Sequence, residues 1–168
     1  MTSVALQQVS SKFARENAAR TLEKPIGLKF ISRHLTPSLL SRLETSCPDG
    51  RIYVWGAKLE RSHQAHKMPT RDALILFRRG ATVYKYGVVL EKETNEPLAE
   101  ALWGRDIDGE TWANISFFAR IKDKRIPAAR INKALGRSEK DNWQGLVAIP
   151  LAESERLSAF FERQLDGL

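Results

Sequence analysis

Five consecutive apolar residues, Ala73-Leu74-Ile75-Leu76-Phe77, constrain this chain more than any other feature. A strand with one wet face alternates polar and apolar positions, so a run without polar positions has to be covered on both sides. The run therefore predicts a central strand with other elements packed above and below it. Arg78-Arg79-Gly80 reads as a turn, and Val83 to Val89 as the next strand of a hairpin.

The hairpin sits within a longer stretch, from Arg51 to Pro150, that carries most of the structural signal. From Arg51 the hydrophobic period is two: Ile52, Val54 and Trp55 form a short β run ending at Gly56. Tyr53 and Trp55 would share one face of it. Residues 57–71 carry charge, histidine and proline without periodicity, as a long loop does, and loops of that length inside a compact domain are often functional. Asn95 caps a short helix with Pro97 in its first turn and Gly104 at its end. A polar turn, RDIDGE, follows, then a strand from Trp112 to Ile121 and a helix from Pro127 to Gly136. Val147 to Ile149 is a last strand. A final helix, from about Ala152 to Leu165, buries Leu157, Phe160, Phe161 and Leu165.

Ahead of this stretch the signal is thinner. Val4, Val9, Phe13 and Ala19 fall on one side of a helix predicted over residues 4–22, which Pro25 stops. The segment IGLKFISRHL reads as a strand. Thr36-Pro37 starts a helix whose apolar face is Leu39, Leu40 and Leu43, and Pro48-Asp49-Gly50 is a turn. The expectation is an N-terminal helical extension over residues 1–50 and a folded module over residues 51–168. The fold class is α+β, with about five or six strands in a small mixed sheet or barrel flanked by helices.

Charge narrows the function. The chain has a net charge of +7 and a sequence pI near 9.8, a surplus that favours polyanionic partners. Cys47 is the single cysteine, so an intrachain disulfide and a cysteine-based zinc site are both out. No apolar run approaches the ~20 residues needed to cross a bilayer, and the N-terminal sequence lacks the features of a secretory signal. A cytoplasmic protein without a membrane partner is expected.

Aromatic rings and basic residues are the candidate chemistry. Trp103 stands beside Gly104 at a loop mouth, where an exposed indole could stack on a base or meet a cationic, methylated ring; its alternative is to plug the end of the sheet. Trp55 and Trp112 read more readily as core. Trp143 is either a surface lid or part of the same cleft. His63 and His66 lack a third ligand for a metal and fit better as contacts to phosphate or base, so no metal and no cofactor are expected. Asp106, Asp108 and Glu110 cluster as polar turns commonly do. Arg61, Lys67, Arg71, Arg78, Arg79, Lys122, Lys124, Arg125 and Arg130 are candidate nucleic-acid backbone contacts.

Over residues 51–161 the chain resembles the PUA-like group of folds, and within it the EVE and YTH domains. The carriers are IYVWGAK, ALILFRRGATVYKYGVVLEK with its Gly87-Val88 pair, LAEALWG, TWANISFFARIKDKRIP and IPLAESERLSAFF. The resemblance implies a module that reads a modified base, as several such domains do when they direct modification-dependent restriction systems of the McrBC type to methylated DNA. It puts Trp103 at one wall of an aromatic cage, with Ala57 and Lys58 at the base edge. One departure stands out: the loop that carries a second cage tryptophan in YTH domains is here LERSHQAHKMPTR. Either His63, His66, Met68 or Trp55 supplies that wall, or the pocket takes a different base.

The function expected is recognition of a modified base without catalysis, in DNA rather than RNA and by base flipping, beside a nuclease or NTPase partner. Trp103, Trp55, Ala57, Lys58 and His66 would form the pocket. The alternatives are an RNA-binding PUA-like protein acting on tRNA or rRNA, and a small hydrolase using the Asp106–Glu110 turn with the loop histidines.

Overall fold

The computed structural model describes residues 3–58 and 69–164. Within them the order is β1 (Val4–Gln8), α1 (Lys12–Thr21), β2 (Ile26–Gly27), α2 (Leu28–Ile31), a 3-10 turn (Ser32–His34), α3 (Pro37–Ser46) and β3 (Arg51–Ala57). Then come β4 (Leu74–Arg79), β5 (Thr82–Val88), β6 (Glu91–Thr94), α4 (Glu96–Trp103), β7 (Asn114–Phe118), β8 (Ile121–Pro127), α5 (Ala128–Ala134), β9 (Leu146–Ile149) and α6 (Leu151–Gln164). No helix among the described residues is long and apolar enough to cross a membrane.

The strands form two sheets, ordered β8-β5-β4-β1-β9 and β2-β3-β7-β6. The class is α+β, as expected, with two open sheets and nine strands among the described residues in place of five or six. The apolar run Ala73–Phe77 does become a central strand, paired with β5 on one side and β1 on the other. Its alternate residues enter two separate cores. Ala73, Ile75 and Phe77 join the core shared with the four-stranded sheet and helices α1 to α4, while Leu74 and Leu76 face α5 and α6.

The N-terminal residues depart most from expectation. Val4–Gln8 is a strand lying between β4, to which it runs parallel, and β9, to which it runs antiparallel. Val4 and Leu6 enter one core and Ala5 the other, so the segment is covered on both faces and shows no two-residue alternation. That is why a helical stripe was legible there. The helix itself starts only at Lys12, where Ser11 Oγ accepts the Ala14 N–H at 3.1 Å. Of the expected strand IGLKFISRHL only Ile26–Gly27 is extended. Residues 1–50 are therefore not an appended helical extension: they supply a strand to each sheet, and α1 and α3 to the larger core.

Local signals elsewhere hold. Thr36 Oγ1 caps Leu39 N–H at 3.3 Å, and Asn95 Oδ1 caps Leu98 N–H at 2.9 Å. The Trp112–Ile121 segment resolves into β7 followed by β8, and β6 is an additional strand that its polar sequence, EKET, does not announce. Gly87 marks a close approach, because a Cβ there would lie 2.6 Å from Ile121 Cδ1 and 2.9 Å from Phe118 Cδ1.

Because Leu6 is fully buried in the middle of the sheet, Leu6→Ala should destabilise the protein by about 2–5 kcal/mol, measured by urea denaturation. A chain beginning at Arg51 should show no cooperative unfolding transition.

Candidate functional site

Three tryptophans from three different segments meet at the end of β3. The Trp112 ring lies 5.0 Å from Trp55, 5.9 Å from Trp103 and 5.3 Å from Phe13, the last contact edge-to-face. Trp55 also meets Phe77 of β4 at 5.7 Å, which ties the cluster to the five-stranded sheet. Gly56 makes this approach fit: a Cβ there would stand 2.5 Å from Trp103 Cζ3 and 2.6 Å from the Trp112 carbonyl oxygen. The backbone has to be glycine so that the Trp103 ring can lie on it.

Trp103 is not the exposed stacking face that its position beside Gly104 suggests. It is 2% exposed, and its indole N–H donates to Thr21 Oγ1 at 3.1 Å. Trp55, at 3% exposed, is equally enclosed, but its indole N–H has no partner among the described residues. Trp112 is the outermost of the three and sits in an irregular segment between the 104–111 turn and β7. Trp143 is fully buried in the other core, with its N–H donating to Asn132 Oδ1 at 2.5 Å and Arg78 stacked on its ring at 5.2 Å. It is neither a lid nor part of the tryptophan cluster.

Ala57 and Lys58 follow the cluster directly. The Lys58 ammonium pairs with Asp106, with Glu110 at 2.6 Å and with Asp108 at 3.9 Å. Hydrogen bonding to Asp106 and Glu110 raises the Lys58 pKa. Asp106 is held below the usual carboxylate range, first by Lys58 and then by the backbone N–H groups of Glu110 and Asp108. The three carboxylates lie within 4.8 Å of one another, and the lysine occupies the place a cation would take. This latch joins the end of β3 to the turn that precedes Trp112. It also leaves the acidic turn occupied by an ion pair, which is poor geometry for a hydrolytic base.

Several expected backbone contacts are used inside the fold. Arg78 is buried, donating from Nε to the Gly80 carbonyl at 2.7 Å and from Nη1 to the Asp141 carbonyl at 2.6 Å, and its desolvation lowers its pKa. It is a structural arginine, not a phosphate ligand. Arg79 pairs with Glu23 at 2.6 Å and lies over Tyr84, and Arg71 pairs with Glu91 at 3.3 Å. Lys122, Arg125 and Arg130 are exposed along β8 and α5, whereas Lys124 is half-buried and makes a contact within the fold. Arg61, His63, His66, Lys67 and Met68 lie outside the described residues.

Sequence reading missed Asn17. It is fully buried on α1, and neither its Oδ1 nor its Nδ2 has a hydrogen-bond partner among the described residues. The signal available was an asparagine between two alanine-rich helical turns, on the same face as Phe13 and Thr21.

No family model matches the sequence, and no curated protein matches it. By structure it matches the N-terminal domain of Thermococcus gammatolerans McrB bound to m5C DNA, with a TM-score of 0.70 and 16% sequence identity. The overlay covers 98% of this chain and 99% of that one. This chain has the fold of that McrB domain. Because the overlay runs nearly end to end, the first fifty residues belong to the shared fold, which agrees with the pairing of β1. The α+β architecture fits the PUA-like class suggested by the sequence.

Two outcomes follow. Gly56→Ala should force Trp103 off the backbone and lower stability by about 1–3 kcal/mol, read by thermal denaturation. Asp106→Asn should weaken the latch at neutral pH. A carboxylate with a depressed folded pKa stabilises above its unfolded value and loses that contribution as pH falls through the folded value. The melting temperatures of wild type and Asp106→Asn should therefore differ at neutral pH and converge in acid below the depressed Asp106 value.

Proposed function

We propose that this chain is a DNA-binding module that recognises a methylated base, without catalysis of its own, and directs a nuclease or NTPase of a restriction system. The observation that carries this reading is the end-to-end structural match to a McrB domain bound to m5C DNA. The charge of +7 supports it, since a basic surface supplies sequence-independent, salt-dependent affinity. The exposed Lys122, Arg125 and Arg130 are its described candidates for phosphate contact, and Arg61 and Lys67 are further candidates.

The pocket in this reading is the tryptophan cluster at the end of β3, with Trp55, Trp103, Ala57 and Lys58 around it; His66, proposed for it from the sequence, lies outside the described residues. In duplex DNA the base would have to be flipped out, at a cost of a few kcal/mol, and aromatic stacking with phosphate contacts would offset that cost. DNA is favoured over RNA because the matched domain was solved on DNA. The module would act in the cytoplasm, beside its motor or nuclease.

Fluorescence anisotropy at fixed moderate salt tests the reading, with matched DNA and RNA oligonucleotides that are unmodified or carry 5-methylcytosine or N6-methyladenine. A preference of about tenfold, or ~1.4 kcal/mol, for one methylated DNA over its unmodified counterpart is expected. Uniform, salt-sensitive binding would leave a nonspecific nucleic-acid protein, and a preference for RNA would favour the tRNA or rRNA alternative.

A further inference from the structure

A second concavity lies away from the tryptophan cluster, where the ends of β1 and β4 meet the segment before β9. It is a cleft of about 690 Å³ whose walls include Gln8, Ser10, Arg78, Asn142, Trp143 and Gln144. Phe77 packs in the core that holds Trp55, Trp103 and Trp112, whereas Trp143 packs in the other core, under Arg78. The cluster and the cleft therefore lie on opposite faces of β4. Amides and a hydroxyl dominate the cleft, and no described lining residue carries a carboxylate.

Arg78 is the charged residue of this lining, and it is 7% exposed. Its Nε and Nη1 donate to the carbonyls of Gly80 and Asp141. Both acceptors are neutral, so they hold the guanidinium without balancing its charge. The Asp141 carboxylate is committed elsewhere: Oδ2 accepts from Arg137 at 3.1 Å and Oδ1 from the Trp143 backbone N–H at 2.9 Å. Among the described residues Arg78 forms no ion pair and its Nη2 makes no hydrogen bond. A buried cation without a counter-charge is costly, and desolvation accordingly lowers the pKa of this one. On the adjoining strand Gln8 Oε1 is buried with no hydrogen-bond partner among the described residues. Buried polar groups are normally satisfied, and each exception needs an explanation.

We infer that this cleft is a docking site for an acidic segment of a partner protein. The carboxylate of an aspartate or glutamate accepts from Arg78, and a peptide N–H of the same segment donates to Gln8. The two unused groups select this class of ligand. A peptide carries an anionic acceptor and an N–H donor together, whereas a phosphodiester carries acceptors only and would leave Gln8 unanswered. Charge-assisted bonds between guanidinium and carboxylate are also among the strong ones. The net charge of +7 draws an acidic partner toward the chain. Because the cleft and the tryptophan cluster occupy opposite faces of β4, DNA and a protein partner can be held together. The inference goes beyond base recognition and does not depend on it.

The test uses the full chain and its Gln144→Glu, Gln144→Lys, Arg78→Gln and Thr45→Glu variants. Gln144 is an exposed residue of the cleft, and Thr45 is exposed on α3 outside it. Each protein is titrated at fixed moderate salt with a hexaglutamate peptide and, separately, with an oligothymidylate of equal charge. The Trp143 indole N–H resonance is followed by NMR. Hexaglutamate is expected to shift that resonance in the wild type. Gln144→Glu should weaken the peptide by about fivefold or more, and Gln144→Lys should tighten it. Thr45→Glu makes the same charge change away from the cleft and should bind as the wild type does. Arg78→Gln should lose the shift altogether; if that variant does not fold, the Gln144 pair still decides.

A hexaglutamate titration that leaves the Trp143 resonance unmoved overturns the docking site. Equal weakening in Gln144→Glu and Thr45→Glu shows general charge attraction and overturns it as well. An oligothymidylate that moves the same resonance more strongly than the peptide makes the cleft a phosphate site and also overturns it. Base reading is scored separately, by the preference among methylated duplexes, which Gln144→Glu should leave unchanged, so either function can fail while the other stands.

Discussion

Everything in this fold hangs on a short parallel pairing, Val4–Gln8 against Leu74–Arg78. It places two strands, each covered on both faces, side by side at the centre of the five-stranded sheet. Side chains from these two strands then seed both cores: Ala5, Ile75 and Phe77 on one side, Leu6, Leu74 and Leu76 on the other. Helices α5 and α6 need one face to pack on, and the four-stranded sheet with its helices needs the other. Without β1, β4 and β9 would present unpaired backbone groups toward each other across an empty slot, and both cores would lose their middle.

The larger core has an unusual composition at one end. Three tryptophans and a phenylalanine bring a great deal of apolar area, and each ring pair adds about 0.5–1.5 kcal/mol beyond its burial. Against this stand the Asn17 amide, the Trp55 N–H and the Asn114 amide nitrogen, which have no hydrogen-bond partner among the described residues and each cost a comparable amount. The other core shows the contrast: Trp143 is just as buried, yet its N–H is bonded to Asn132 and its ring is covered by Arg78.

Much of the fold was legible wherever a local rule carried it. Thr36 and Asn95 cap helices through their own side chains, and the unbroken run at Ala73–Phe77 has only one comfortable location, the inside of a sheet. Val4–Gln8 was not legible, because a strand covered on both faces has no period of two and a few apolar residues will satisfy a helical wheel by accident. The candidate site was half legible. The tryptophans could be picked out as residues, but the burial of Trp103 depends on Gly56 approaching from a strand nearly fifty residues earlier. The arginines misled for the same reason. Arg78 looks like surface charge in a sequence, and only the carbonyls of Gly80 and Asp141, the second more than sixty residues away, turn it inward.

The strand order has a consequence for how the molecule comes into being. β1 precedes both of the strands that flank it, β4 and β9. Its hydrogen bonds are therefore all long-range in sequence, the high-contact-order arrangement that slows folding. During synthesis the earliest strand has no neighbour until residue 74 has emerged, and one of its edges stays open until residues 146–149 arrive. The module cannot be assembled piecemeal from its N-terminus: the five-stranded sheet closes only when its last strand slots beside its first.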